Sequence, residues 1–338
     1  MSEFRPHGAN PEKLYESMGI EMPERIIDFS TNTNALPWKE PVALKWNRLI
    51  EEYPDEESSL LRGLLAEKNN CSAREILVTN GSNEAIYLLA AHCAAKGSCA
   101  VLQPVYGEYV RALKAWNAKT EYIFSLDKLK KGTGSLWLCN PCNPTGSWTD
   151  AGALASALGQ NTETDFIVDE AYIDFLTVEK PRLSFRDFPN LIVLRSLTKL
   201  YRFCGARAGY VLAGSGFIEK IKRRQPTWSV NGIAQAAAAI FLKDDNYPRL
   251  TREFYRAETP RLAGMIREAG FNTLPTCVNF FLVETQNDEK LIRFLLRRGL
   301  AVRHTRNFFG LDGKYVRIAA RLPHENELLA LAFREFSG

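Results

Sequence analysis

The sequence lacks the features that mark several large classes of protein. It holds no window of the roughly 18 apolar residues that a membrane-spanning helix needs, and its opening stretch, MSEFRPHGANPEK, has no apolar core of the kind a secretory signal carries. Histidine is scarce: only His7, His92, His304 and His324 are present, and they are widely scattered. The seven cysteines are an odd number, and only Cys139 and Cys142 stand in C-x-x-C spacing, with no second pair after them. A structural zinc site needs more ligands than this. No metal is therefore expected, and the thiols are expected to be reduced, in a cytoplasmic protein. Charge of one sign is also missing. The 43 basic residues against 39 acidic ones leave +4 over 338 residues, too little for a nucleic-acid partner. There are no internal repeats and no low-complexity tracts. No G-x-G-x-x-G follows an early strand, and neither G-x-x-x-x-G-K-[ST] nor G-x-S-x-G occurs. Nicotinamide, P-loop and nucleophile-elbow chemistry accordingly have little support.

What is present is a repeating alternation of short apolar runs and helical stretches. Ile76–Thr79, Cys99–Leu102, Thr120–Phe124, Ser135–Cys139, Asp165–Asp169, Leu191–Arg195 and Gly209–Ala213 read as strands. They are continuous, β-rich and bounded by Gly and Pro, as in a sheet covered on both faces. Helical stretches between them, such as Ala85–Ala95, imply crossover units and an α/β fold with a mostly parallel sheet. The last hundred or so residues read differently. Helix over Ile218–Phe241 is broken by Pro226, and an amphipathic stretch over Leu250–Ala269 is expected to be interrupted by Pro260. Strands follow at Asn279–Glu284, near Leu300–Arg303 and at Tyr315–Ala319, with helices at Glu289–Arg298 and from Glu325. This predicts a large α/β domain over 28–245 and a smaller α+β domain made of 1–27 and 246–338.

The informative residues stand at strand ends, where open α/β sheets build their sites. Lys199 directly follows a buried strand in Arg195-Ser196-Leu197-Thr198-Lys199, and Arg207 lies eight residues on. Ser196, Thr198 and Arg207 can hold a phosphate while Lys199 forms an imine. Asp169 ends another strand in Asp169-Glu170-Ala171-Tyr172. A buried carboxylate needs a cationic partner, and a protonated pyridine nitrogen is one, with Tyr172 free to donate to a ring oxygen. Taken alone, Asp169 could equally cap a helix. Asn143, in Asn140-Pro141-Cys142-Asn143-Pro144-Thr145-Gly146, sits in a rigid turn and can also bond a ring oxygen. The stretch Asn80-Gly81-Ser82-Asn83-Glu84 turns from strand to helix, where backbone N–H groups attract phosphate and Ser82 and Asn83 can donate. Tyr106 could stack on a flat ring or simply be core.

As an ordered set, these segments resemble the pyridoxal-phosphate enzymes of the aspartate aminotransferase fold, over nearly the whole chain. The resemblance implies pyridoxal 5'-phosphate as cofactor, with Lys199 carrying it as an imine and Asp169 on the pyridine nitrogen. It implies Asn143 and Tyr172 at the ring oxygen, Tyr106 stacked on the ring, and Ser82, Asn83, Ser196, Thr198 and Arg207 on the phosphate. It further implies a homodimer, with Tyr53 of Glu52-Tyr53-Pro54-Asp55 reaching the partner subunit's cofactor. Within the fold, local strings resemble the L-threonine-O-3-phosphate decarboxylases of cobalamin synthesis. These strings are His7-Gly8-Ala9-Asn10, Asp28-Phe29-Ser30-Thr31-Asn32-Thr33-Asn34, Arg195-Ser196-Leu197-Thr198-Lys199, Trp228-Ser229-Val230-Asn231 and the run from Val302 to Ala319. Ala9 in place of a second glycine and Cys142 in place of an asparagine depart from that pattern. The histidinol-phosphate aminotransferases are the alternative resemblance. Either family implies a phosphorylated amino substrate, with Arg317 on its carboxylate, Arg303 on its phosphate, and His7, Asn32 and Asn143 assisting.

Overall fold

The computed structural model describes residues 10–38 and 43–337, so His7 lies outside the described residues. Its strands are β1 (Ile27–Asp28), β2 (Ile76–Thr79), β3 (Cys99–Leu102), β4 (Thr120–Ile123), β5 (Ser135–Cys139), β6 (Asp165–Asp169), β7 (Leu191–Ser196) and β8 (Gly209–Leu212), then β9 (Phe280–Glu284), β10 (Leu300–Ala301), β11 (Arg303–His304) and β12 (Tyr315–Ala319). One sheet takes the order β2-β8-β7-β6-β5-β3-β4. Its strands are parallel except β8, which runs antiparallel to both β2 and β7. Every residue of β2, β5, β6 and β8 is buried, which is why their central residues are apolar rather than alternating. Helices Gly81–Lys96, Glu108–Ala115 and Ala151–Gln160 make the crossovers. Register sets Cys139 beside Asp169 and Asp169 beside Leu194. The carboxyl ends of β5, β6 and β7 therefore open together at one rim of the sheet.

The tail forms a second, three-stranded antiparallel sheet in the order β11-β12-β9. The N-terminal segment returns to it: β1 pairs in parallel with β10, and Tyr15, in helix Pro11–Met18, donates its hydroxyl to the Leu296 carbonyl at 2.7 Å. Three local expectations are corrected. The residues Gly81 to Glu84 are the first turn of helix Gly81–Lys96 and not a loop before it. Pro260 does not interrupt its helix, which runs unbroken over Asn246–Glu268. A mid-helix proline costs about 3 kcal/mol, and burial of Tyr255, Thr259, Leu262 and Ala263 on either side of it offsets that. The apolar stretch near Leu300–Arg303 divides at Val302, so that β10 pairs with β1 while β11 pairs with β12. All seven cysteines are free thiols, and no helix among the described residues is long and apolar enough to cross a membrane.

Candidate active site

At the rim where β5, β6 and β7 end, a cleft opens between the large sheet and the three-stranded one. A cationic cradle forms its floor. Gly209 in β8 abuts the start of helix Gly81–Lys96 so closely that a Cβ there would lie 2.6 Å from the Ser82 nitrogen. Gly81 itself has φ +73° and leaves room for Arg207, whose Nη2 a Cβ would meet at 2.6 Å. Arg207 is held in the left-handed region, at φ +65°, and donates from Nη1 to the Cys204 carbonyl at 3.0 Å. Strain of this kind persists where the surroundings over-determine it, and it clusters at ligand sites. Ser82, Asn83, Thr198 and Arg207 converge on the cleft. A helix N-terminus beside a guanidinium can hold an anion. Ser196 is buried behind Thr198, their hydroxyls 2.9 Å apart, rather than on the cleft wall.

Above the cradle lie Asp169 and Lys199. Asp169 is 4% exposed, and each of its oxygens has a donor. Oδ2 accepts from the Tyr109 hydroxyl at 2.7 Å and Oδ1 from the Ala171 N–H at 2.9 Å. Burial raises its pKa, while Tyr109, Ala171 and Lys199 act against the rise. Lys199 is partly open to the cleft. Burial nevertheless holds its ammonium below the ordinary lysine value, with the charges of Arg317 and Arg207 adding to the effect. It makes no ion pair among the described residues. Glu170 turns away from Asp169 and pairs with Arg195 at 2.6 Å, tying the ends of β6 and β7 together. Tyr172 is wedged edge-on against Phe280 at 4.9 Å, and Asn32 Nδ2 reaches its hydroxyl at 3.5 Å. Tyr106 stands on the far wall, its hydroxyl 3.5 Å from Asn83 Oδ1.

Two arginines close the cleft from the small sheet. Arg303 and Arg317 are partners in the β11–β12 register, so their side chains share one face. Both are almost fully buried, at 4% and 5% exposure. Arg317 donates from Nη2 to the Ser30 carbonyl at 2.6 Å and from Nη1 to Asn143 Oδ1, and its Nε is buried without a partner. Arg303 donates to His304 Nε2 at 2.5 Å and to Asn307 Oδ1 at 2.6 Å. Burial pushes both guanidinium pKa values down; the charge of Arg317 lowers Arg303 further, while Tyr172 and Asp28 act against the fall at Arg317. Guanidinium groups stay protonated in proteins, so this depression is a cost of folding that a bound anion would relieve. Asn32 Oδ1, also in the cleft, is buried and unpartnered.

The structure thus brings Ser82, Asn83, Tyr106, Asn143, Asp169, Tyr172, Thr198, Lys199, Arg207, Asn32, Arg303 and Arg317 to one cleft. Tyr53 is not there. It is 81% exposed and packs on Trp228 at 4.7 Å, away from the cleft of its own chain. Sequence reasoning missed Tyr109, whose spacing of three from Tyr106 would put both on one helical face but says nothing of a carboxylate. We expect Tyr109→Phe to lower kcat about tenfold or more, the worth of a hydrogen bond to a charged group. Loss of that donor raises the Asp169 pKa further. The ionised carboxylate is then lost at higher pH as pH falls, so the acidic limb of the rate profile should shift upward. An unmoved limb would mean that the Tyr109 hydroxyl does not tune Asp169.

Known proteins are similar to this chain over nearly its whole length. A sequence model for "aminotransferase class I and II" matches residues 24–332. A threonine-phosphate decarboxylase of Salmonella typhimurium is 31% identical, covering 97% of this chain and 95% of its own. A histidinol-phosphate aminotransferase of Anaeromyxobacter is also 31% identical, covering 98% of each. The crystal structure of L-threonine-O-3-phosphate decarboxylase from Porphyromonas gingivalis superposes with a TM-score of 0.82 at 27% identity, over 92% of this chain and 99% of that one.

Proposed function

The chain belongs to the class I and II aminotransferase family of pyridoxal-phosphate-dependent enzymes, and from that premise we propose that it decarboxylates L-threonine O-3-phosphate to (R)-1-aminopropan-2-yl phosphate. The residues in the cleft suit the cofactor. The glycine-lined cradle with Arg207 and Thr198 suits its phosphate, Asp169 its ring nitrogen, Tyr172 and Asn143 its ring oxygen, and Lys199 its aldehyde carbon. When bound, the cofactor withdraws electrons from whichever α-carbon bond of the substrate stands perpendicular to its ring.

The observation that carries the substrate class is the facing pair Arg303 and Arg317. Two buried cations on one sheet face suit a compound with two anionic groups. Arg317 lies nearer the cofactor residues, through Asn143, and suits the carboxylate. Arg303, farther along the small sheet, suits the phosphate, while the unpartnered Asn32 Oδ1 in the same cleft can accept from the substrate's ammonium or hydroxyl donors. The two clamps set the rotation of the substrate and hence which bond breaks. If the carboxylate stands perpendicular, carbon dioxide leaves and Lys199 or a water returns a proton to the α-carbon. The second reading, a histidinol-phosphate aminotransferase, is favoured by the equally similar Anaeromyxobacter relative. There Lys199 would take the α-proton instead. The reading also divides the chain into a cofactor domain over 28–245 and a smaller domain of 1–27 and 246–338, supported by the β1–β10 pairing. It places the protein in the cytoplasm as a homodimer, with the exposed Tyr53 directed to the partner subunit.

The purified holoenzyme given O-phospho-L-threonine without a keto acid is expected to release carbon dioxide. Given histidinol phosphate and 2-oxoglutarate, it is expected to form no glutamate. Glutamate in the second assay with silence in the first would replace decarboxylation by transamination.

A further inference from the structure

We propose that Phe309 is a positioning residue, which clasps the edge of the large sheet and thereby holds Arg303 over the cleft to take the substrate's phosphate. The proposal rests on the reading of Arg303 given above. The loop between β11 and β12 has two successive phenylalanines with opposite surroundings. Phe308 is buried, lines the cleft and packs with Leu282 and Leu311 in a small apolar cluster separate from the main core. The Arg303 guanidinium lies 5.6 Å from its ring centre, and Asn307, the residue before it, accepts from Arg303 at 2.6 Å. Phe309 is 51% exposed. Its ring nevertheless sits 4.8 Å from Tyr122 and stacks at 5.9 Å on Phe124.

Tyr122 belongs to β4, the edge strand of the seven-stranded sheet, and Phe124 follows it directly. The clasp therefore joins the edge of one sheet to the loop of the other. Gly310 confirms how close the approach is: at φ +87°, a Cβ on it would lie 3.0 Å from the Phe124 ring. Scattered exposed apolar side chains need no explanation, but three aromatic rings in contact across two sheets are not scattered. On the inner side, the loop grips Arg303 through Asn307 and Phe308. On the outer side, Phe309 grips the large sheet. Phe309 touches none of the reacting groups, so its effect passes through Arg303. Its loss should weaken recognition of the phosphate and leave the chemistry at Lys199 intact.

The test compares holoenzymes of wild type, Phe309→Ala, Phe309→Trp and Arg303→Ala, with the cofactor phosphate site filled. Inorganic phosphate is titrated against thermal stability. KM and kcat are then measured with whichever phosphorylated substrate the wild type turns over. For Phe309→Ala we expect the phosphate midpoint and KM to rise about tenfold, within the reach of two aromatic contacts, with kcat changed less than about twofold. Phe309→Trp should restore both. If Phe309→Ala does not fold, Phe124→Ala makes the same test from the sheet side. Unchanged phosphate response in the clasp variant, an equal loss of kcat, or failure of Phe309→Trp to rescue would each overturn the proposal. Phosphate stabilisation that survives Arg303→Ala would instead overturn the assignment of Arg303 on which it rests.

Discussion

Lys199→Ala should abolish turnover, by at least about a thousandfold, because the chain then has no amine to join the cofactor or to move the α-proton. The absorbance of the covalently held cofactor in the near-visible should disappear with it. The protein should still fold, and its cofactor-free form should be no less stable than the wild type. Lys199 is a cation whose burial and cationic neighbours disfavour its charge, so removing it removes a desolvation cost. The sign of its pKa shift gives a second expectation. Only the neutral amine attacks an aldehyde, and the depressed pKa makes that form available at lower pH. The rate at which cofactor-free wild type captures pyridoxal phosphate should therefore rise with pH through a midpoint below 10.5, the ordinary lysine value. An unchanged absorbance band in Lys199→Ala would place the covalent link on another lysine.

Arg317→Ala should leave that band in place and raise KM sharply, lowering kcat/KM by about two to three orders of magnitude. Truncating one member of a buried charged contact costs about 2–5 kcal/mol. Arg317→Lys should not recover it. Arg317 bonds the Ser30 carbonyl and Asn143 with two different nitrogens while its Nε remains unpartnered. A single ammonium cannot reproduce that fork. The loss should fall on substrate binding, read by steady-state kinetics, and not on cofactor affinity, read by equilibrium dialysis. Intact substrate affinity in Arg317→Ala would show that the carboxylate binds elsewhere.

The strands were legible because each is written locally. A buried strand is a run of apolar β-formers between breakers, and β2, β3, β5, β6 and β12 begin and end where those runs do. Lys199, Asp169 and Asn143 could be placed in the cleft for a related reason: Asp169 ends such a run, and Lys199 and Asn143 follow one within four residues, where the chain must emerge at the sheet's rim. Pro260 misled because a local signal for breaking a helix was outweighed by burial along the whole of Asn246–Glu268. Gly81 to Glu84 misled in the same way, since a turn-like composition lies inside the first helical turn. The sequence alone thus determined the α/β class, the order of elements and the residue types offered to the cleft.

Tertiary structure decided which side chains meet. Arg317 finds Asn143 across 174 residues, and Asn32 finds Tyr172 across 140. The Tyr109 donor to Asp169, the opposition of Arg303 and Arg317, the retreat of Ser196 behind Thr198 and the Phe309 clasp are all pairings of this kind. Hydrophobic pattern and turn chemistry act over a few neighbouring residues and constrain the local backbone. Contacts between distant segments depend on how sheets pack and register, a free-energy balance summed over the whole chain that no single stretch of sequence contains.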